Sequence, residues 1–108
     1  MAIKANIVID QGTDYTTAIN VTDEYDDPID LTGYTGAAQM RKHYSSSAQT
    51  AFTVAVANNG VVTLTMNSAT TNTISAGRYV YDCELRSAAN VVSRLVEGIV
   101  TVTPQVTR

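Results

Sequence analysis

Tryptophan is absent from this chain of 108 residues, and phenylalanine, histidine and cysteine occur once each, as Phe52, His43 and Cys83. Each scarcity removes a class of chemistry. A lone cysteine makes no internal disulfide and completes no cysteine-based zinc site. A lone histidine leaves a single imidazole to serve as a general base. It is followed by Tyr44-Ser45-Ser46-Ser47, but a serine adjacent in sequence is not a catalytic triad, and no glycine-rich nucleophile elbow is present. None of the six glycines sits in a phosphate-cradling loop. No run approaches the ~18 consecutive apolar residues of a membrane helix. Met1-Ala2-Ile3-Lys4-Ala5-Asn6 lacks the basic region and apolar run of a secretory signal. The reading is therefore of a non-enzymatic chain without cofactor, metal or membrane partner, folded in a reducing cytoplasm.

Charge narrows the partners further. Ten carboxylates against seven Lys and Arg give a net charge of −3, which offers no general attraction to nucleic acid. Arg41-Lys42-His43-Tyr44 is the one place where cations and an aromatic interleave, and the end of a polar strand explains it. Asp23, Glu24, Asp26, Asp27 and Asp30 cluster in one segment, without the alternating spacing or the glycine of a calcium loop, and Pro28 interrupts them. That segment reads as a solvated loop whose cation binding the sequence leaves open.

Hydrophobic residues make up 44% of the chain, enough for one modest core, so residues 1–108 are expected to form a single domain. Alternation is the dominant pattern, and a strand points successive side chains to opposite faces. Gly77–Leu85 shows it best: Tyr79, Tyr81, Cys83 and Leu85 alternate with Arg78, Val80, Asp82 and Glu84. On that parity Cys83 is a buried small hydrophobe. Ile3, Ala5, Ile7 and Ile9 define a first strand, whose only charges are Lys4 and Asp10, and Tyr15, Thr17, Ile19 and Val21 a second. Further strands are expected over Ala37–His43, around Phe52–Val56 and Val62–Met66 with Asn58-Asn59-Gly60 as the turn between them, and over Val91–Val102. In the last, Glu97-Gly98 is the expected place for a bulge that switches faces. Residues 68–74 resist a strand reading and predict one short helical turn, capped by Asn67 or Ser68, with Ile74 tucked inward.

About seven short antiparallel strands, turn signals every 8–12 residues and almost no helix predict an all-β sandwich. Tyr81-x-Cys83 is similar to strand F of immunoglobulin-like domains, where a tyrosine two residues before a cysteine anchors a corner. The expected core contains Ile7, Ile19, Met40, Val54, Leu64, Tyr79, Tyr81 and Leu85. Gly33 and Gly36 read as turn residues. Tyr25, Tyr34 and Tyr44 are expected to be exposed, and tyrosine combines contact area with a hydrogen bond at interfaces. With Ile3, on an edge strand open to strand addition, they form the candidate interface.

Four segments resemble a known family. Asp30-Leu31-Thr32-Gly33-Tyr34-Thr35, Gln39-Met40-Arg41-Lys42, Ala76-Gly77-Arg78-Tyr79-Val80-Tyr81-Asp82 and Arg94-Leu95-Val96-Glu97-Gly98-Ile99-Val100-Thr101-Val102 resemble, in order, the N-terminal immunoglobulin-like domain of tailed-phage upper baseplate proteins and short virion proteins of marine tailed phages. The resemblance implies a structural subunit of a tail, baseplate or neck, present in many copies in a symmetric virion, docking other virion proteins and carrying no catalytic residue. Larger members bear a further domain for fibre or receptor attachment, and a chain ending at Arg108 would be the docking module alone. A capsid decoration protein and a carbohydrate-binding or adhesin module are the alternatives.

Overall fold

The computed structural model describes residues 3–23 and 25–107. Eight strand segments and one short helix follow in order: β1 Ile3–Lys4, β2 Ile7–Asp10, β3 Tyr15–Asn20, β4 Thr35–Arg41, β5 Thr50–Val56, β6 Val61–Met66, α1 Ser68–Thr71, β7 Gly77–Arg86 and β8 Val92–Thr103. They form one continuous sheet in the order β1-β8-β7-β4-β5-β6-β3, with β2 also on β8. The chain is all-β, as its alternation predicts. The antiparallel expectation fails at one edge, because β1 and β2 pair parallel with β8 and the sheet is mixed.

The sheet folds back on itself at β5. Thr50, Ala51 and Phe52 pair with β4, whereas Thr53–Val56 pair with β6, so this strand passes from one half of the sheet to the other. Gly36 lies within β4 rather than in a turn, and a Cβ there would sit 2.6 Å from Val54. Its missing side chain admits Val54 and Val56 from the other half. The four residues Gln11–Asp14 then join β2 to β3, the strands at opposite ends of the order, and bring the sheet close to closing as a barrel.

Helix α1 secures that connection. Asn67 caps it, its side chain accepting from the Thr70 amide at 2.9 Å. Thr71, fully buried, accepts from the Gly12 amide at 3.1 Å and donates to the Thr13 carbonyl at 2.7 Å. Ile74 is buried behind it.

Between the two halves lies the core. Ile7, Met40, Leu64, Tyr81 and Leu85 are buried as expected, and Ile19, Val54 and Tyr79 pack against them partly buried. Phe52 joins Tyr15 and Tyr81, with ring centroids 6.5 and 6.2 Å away. The face switch in β8 falls two residues earlier than Glu97-Gly98. Cys83 pairs with Val96 and Glu84 with Arg94, leaving Leu95 as the extra residue. Leu95 and Val96 are therefore consecutive and both buried, while Ile99 faces out.

Gly98 serves a different end. The first strand holds one register on β8 from Ile3↔Val96 to Asp10↔Thr103, broken only at Ala5 and Asn6. There the Asn6 side chain accepts from the Ile99 amide at 3.1 Å, and the Ala5 carbonyl is left to accept from the Tyr81 hydroxyl at 2.5 Å. Gly98 pairs with Tyr81 across β7 and β8, and a Cβ on it would lie 2.2 Å from the Ala5 oxygen. Tyr81, expected to anchor a corner, thus bonds Ala5 instead, and the neighbouring Tyr79 hydroxyl donates to the Ser75 carbonyl at 2.6 Å.

Gly98→Ala should therefore destabilise the chain by about 1–3 kcal/mol through overpacking, although alanine is otherwise the better strand residue. Tyr81→Phe should cost about 1 kcal/mol, the net value of one hydrogen bond. Because both act on the Ala5 carbonyl, urea denaturation of the double variant should show a loss smaller than the sum.

Candidate functional site: an outer groove and an open edge

The outer face of β4, β7 and β8 is built from the positions that alternate with the core. Register places Ala37, Glu84 and Arg94 in one row, Gln39, Asp82 and Glu97 in the next, and Arg41, Val80 and Ile99 in a third. Lys4 extends the middle row from β1. With Tyr44 at its rim, this face forms a half-open groove of about 330 Å³. Local sequence patterns do not reveal it, because it needs the register of three strands that are distant in the chain.

Its electrostatics are mixed. Arg94 contacts Glu97 at 3.0 Å and Asp82 at 3.5 Å. Those partners, Glu97 first, hold its guanidinium above its ordinary pKa. Arg41 donates to Gln39 at 3.1 Å and to the Ser46 carbonyl, which fixes the loop carrying Tyr44. Glu84 has no ion-pair partner among the described residues. Exposed pairs of this kind are screened by solvent, so they shape the face more than they stabilise the fold.

The predicted interface residues do not form one patch. Ile3 opens β1 opposite Val96, and its side chain lies outside the described residues. Tyr25 is 77% exposed on the loop before Pro28, and Tyr44 is 87% exposed. Tyr34 is not exposed as expected. The turn Leu31–Tyr34 sets it against the core, partly buried. Tyr34 and Tyr44 flank opposite ends of β4, roughly 20 Å apart at strand rise.

The acidic loop uses its carboxylates locally. Asp23 accepts from the amides of Tyr25 and Asp27 at 2.8 and 3.1 Å. Asp30 accepts from the Thr32 hydroxyl at 2.6 Å and its amide at 3.0 Å, which lower its pKa. Glu24 lies outside the described residues. Among the described residues, no three His, Cys, Asp or Glu side chains converge where they could hold a metal ion. No described helix is long and apolar enough to cross a membrane. His43 is exposed, with its backbone amide on Ser46 Oγ at 3.0 Å.

The two ends of the sheet order differ. On one, the first strand is interrupted at Ala5 and Asn6 and carries Lys4 and Asp10, devices that discourage strand addition. On the other, β3 runs unbroken from Tyr15 to Asn20 without a charge or a proline, and pairs only with β6 among the described residues.

No protein-family model and no curated protein sequence matches the chain. Among solved structures, it is similar to part of an internalin-like protein of Listeria monocytogenes, at 17% identity and a TM-score of 0.53, covering 94% of this chain and 28% of that one. A family 123 glycoside hydrolase from Clostridium perfringens is matched at 12% identity and a TM-score of 0.46, over 97% of this chain and 24% of that one. The chain thus spans about a quarter of each of these two proteins, and the first likeness is one of fold alone.

Burial pushes the Cys83 thiol from its ordinary 9.0 up to about 11, with Asp82 and Glu84 adding to it. A raised pKa means that the unfolded chain releases this proton first. The thiol's contribution to stability should thus be level below about pH 9 and decline between about 9 and 11. A thiol-reactive dye should label the folded protein only at the rate of global opening, and fast labelling in native buffer would contradict the buried placement of Cys83.

Proposed function

We propose that this chain is an immunoglobulin-like docking module of a tailed-phage virion, a component of the tail, baseplate or neck that holds neighbouring subunits. Two features support the immunoglobulin-like assignment. The runs β4-β7-β8 and β3-β6-β5 correspond to the C-F-G and B-E-D groupings of that fold. The Tyr79 bond to Ser75, four residues upstream, has the form of its tyrosine corner. The resemblance of four ordered segments to virion domains supports the placement on a particle.

The observation that carries docking is β3, a continuous uncharged edge in a fold whose other edge is broken and charged. Edge strands bind by adding a strand, with main-chain hydrogen bonds supplying affinity. Tyr25 and Tyr44 supply separate exposed contacts. Many copies on a symmetric particle strengthen individually weak contacts.

Antibody against the chain, carrying gold and imaged on particles from the source culture, tests the placement. Gold at the tail or neck is expected. Gold spread over the capsid would make the chain a decoration protein instead. Label on cells with bare particles would overturn the virion reading in favour of an adhesin.

A further inference from the structure

The inner side of β3 is incomplete in a way its partner is not. On β6, the inward residues Val62, Leu64 and Met66 are 0%, 0% and 3% exposed. Directly across from them on β3, Ile19, Thr17 and Tyr15 are all only half-buried. The same face of the same ladder is sealed on one strand and open on the next, because β3 has no further neighbour among the described residues. In an immunoglobulin-like sandwich that neighbouring position belongs to the first strand, A, beside B. Here the described part of the first strand lies on β8, through β1 and β2, and no described residue fills the position beside β3.

We infer that a second copy of this chain fills it, with β3 pairing antiparallel to β3 of the partner about a two-fold axis through Thr17. A two-fold perpendicular to the sheet keeps inner faces together only when a residue sits on the axis, since a slip of one residue sets core side chains against solvent ones. With Thr17 on the axis, Tyr15 of each copy lies across from Ile19 of the other. That is an aromatic against a β-branched residue, a favourable cross-strand pair, and it occurs twice. An axis through Ala18 would set Thr17 against Ile19 and carry Tyr15 past the end of β3 to Val21. On the outer face the Thr17 register opposes Thr16 to Ala18, both small, uncharged and exposed. Nothing along Tyr15–Asn20 repels its own copy, and no charge selects a different partner. The contact is self-complementary, as a two-fold interface requires. About five residues a side make a small interface, so the pairing is weak in dilute solution, with a dissociation constant on the order of 100 μM.

This inference sharpens the docking half of the proposal and does not depend on the virion placement. A negative result here leaves the gold-labelling test intact. The whole chain is studied by sedimentation from about 1 μM to about 1 mM, spanning that affinity, with amide exchange followed at both extremes. A monomer–dimer equilibrium is expected, with amide protection that rises with concentration and is confined to β3. Charge at the outer positions then reads the register. Thr16→Lys with Ala18→Lys opposes like charges twice and should weaken the dimer about tenfold, whereas Thr16→Glu with Ala18→Lys opposes unlike charges and should restore it. A single monomeric species up to about 1 mM overturns the inference. So do Thr16 and Ala18 amides, which point away from β6, already slow at the lowest concentration, since the chain's own strand would then cover the edge. Protection that rises elsewhere, or a dimer indifferent to both charge patterns, would move the interface and overturn it too.

Discussion

The Ala5 carbonyl, held by the Tyr81 hydroxyl across the gap left by Gly98, sets the arrangement of the whole chain. At the break in the ladder this carbonyl has lost its place in the strand pairing, and the tyrosine supplies a bond worth about 1 kcal/mol net. The bond lets the first strand kink at Ala5 and Asn6 yet resume the same register on β8, so Ile7 and Ile9 reach the core. It also commits that strand to the β8 side. β3 begins at the far end of the sheet order, with one neighbour instead of two among the described residues. A contact in the interior thus decides which surface stays open.

Alternation makes most of this fold legible in the amino-acid sequence. The strands, the Asn58–Gly60 turn, the capped turn at Asn67 and the buried Cys83 follow from local rules of parity and propensity. The departures share a physical origin, since each depends on a partner distant in the chain. The parallel pairing of the first strand cannot be read from a pattern that looks the same in either direction. The bulge falls at Leu95 because Cys83 and Glu84 oppose Val96 and Arg94, which no window on β8 alone reveals. Gly98 has the sequence context of a bulge residue, and its reason is an oxygen ninety-odd residues earlier in the chain. Tyr34 has the context of an exposed turn residue, but the turn at Leu31 swings it against the core.

The candidate site is less legible than the fold for the same reason. Asp82, Glu97 and Arg94 are unremarked charges until register brings β7 and β8 side by side. The groove they line spreads its carboxylates around two guanidiniums and two tyrosines. The edge at β3 is quieter still. What distinguishes it is the absence of lysine, proline or a bulge where such devices are usual.

The parallel lie of the first and last strands has a mechanical meaning. Tension applied before Ile3 and after Thr103 would draw β1 and β2 one way along β8 and β8 the other. The evenly spaced, slanted bonds of a parallel ladder would then be loaded in shear, all together, instead of being peeled open one at a time. Gly98 and Tyr81 sit in the middle of that ladder, where the Ala5 carbonyl acts as a catch against sliding. The same geometry that holds the chain together at rest would make it stiff along the axis joining its two ends.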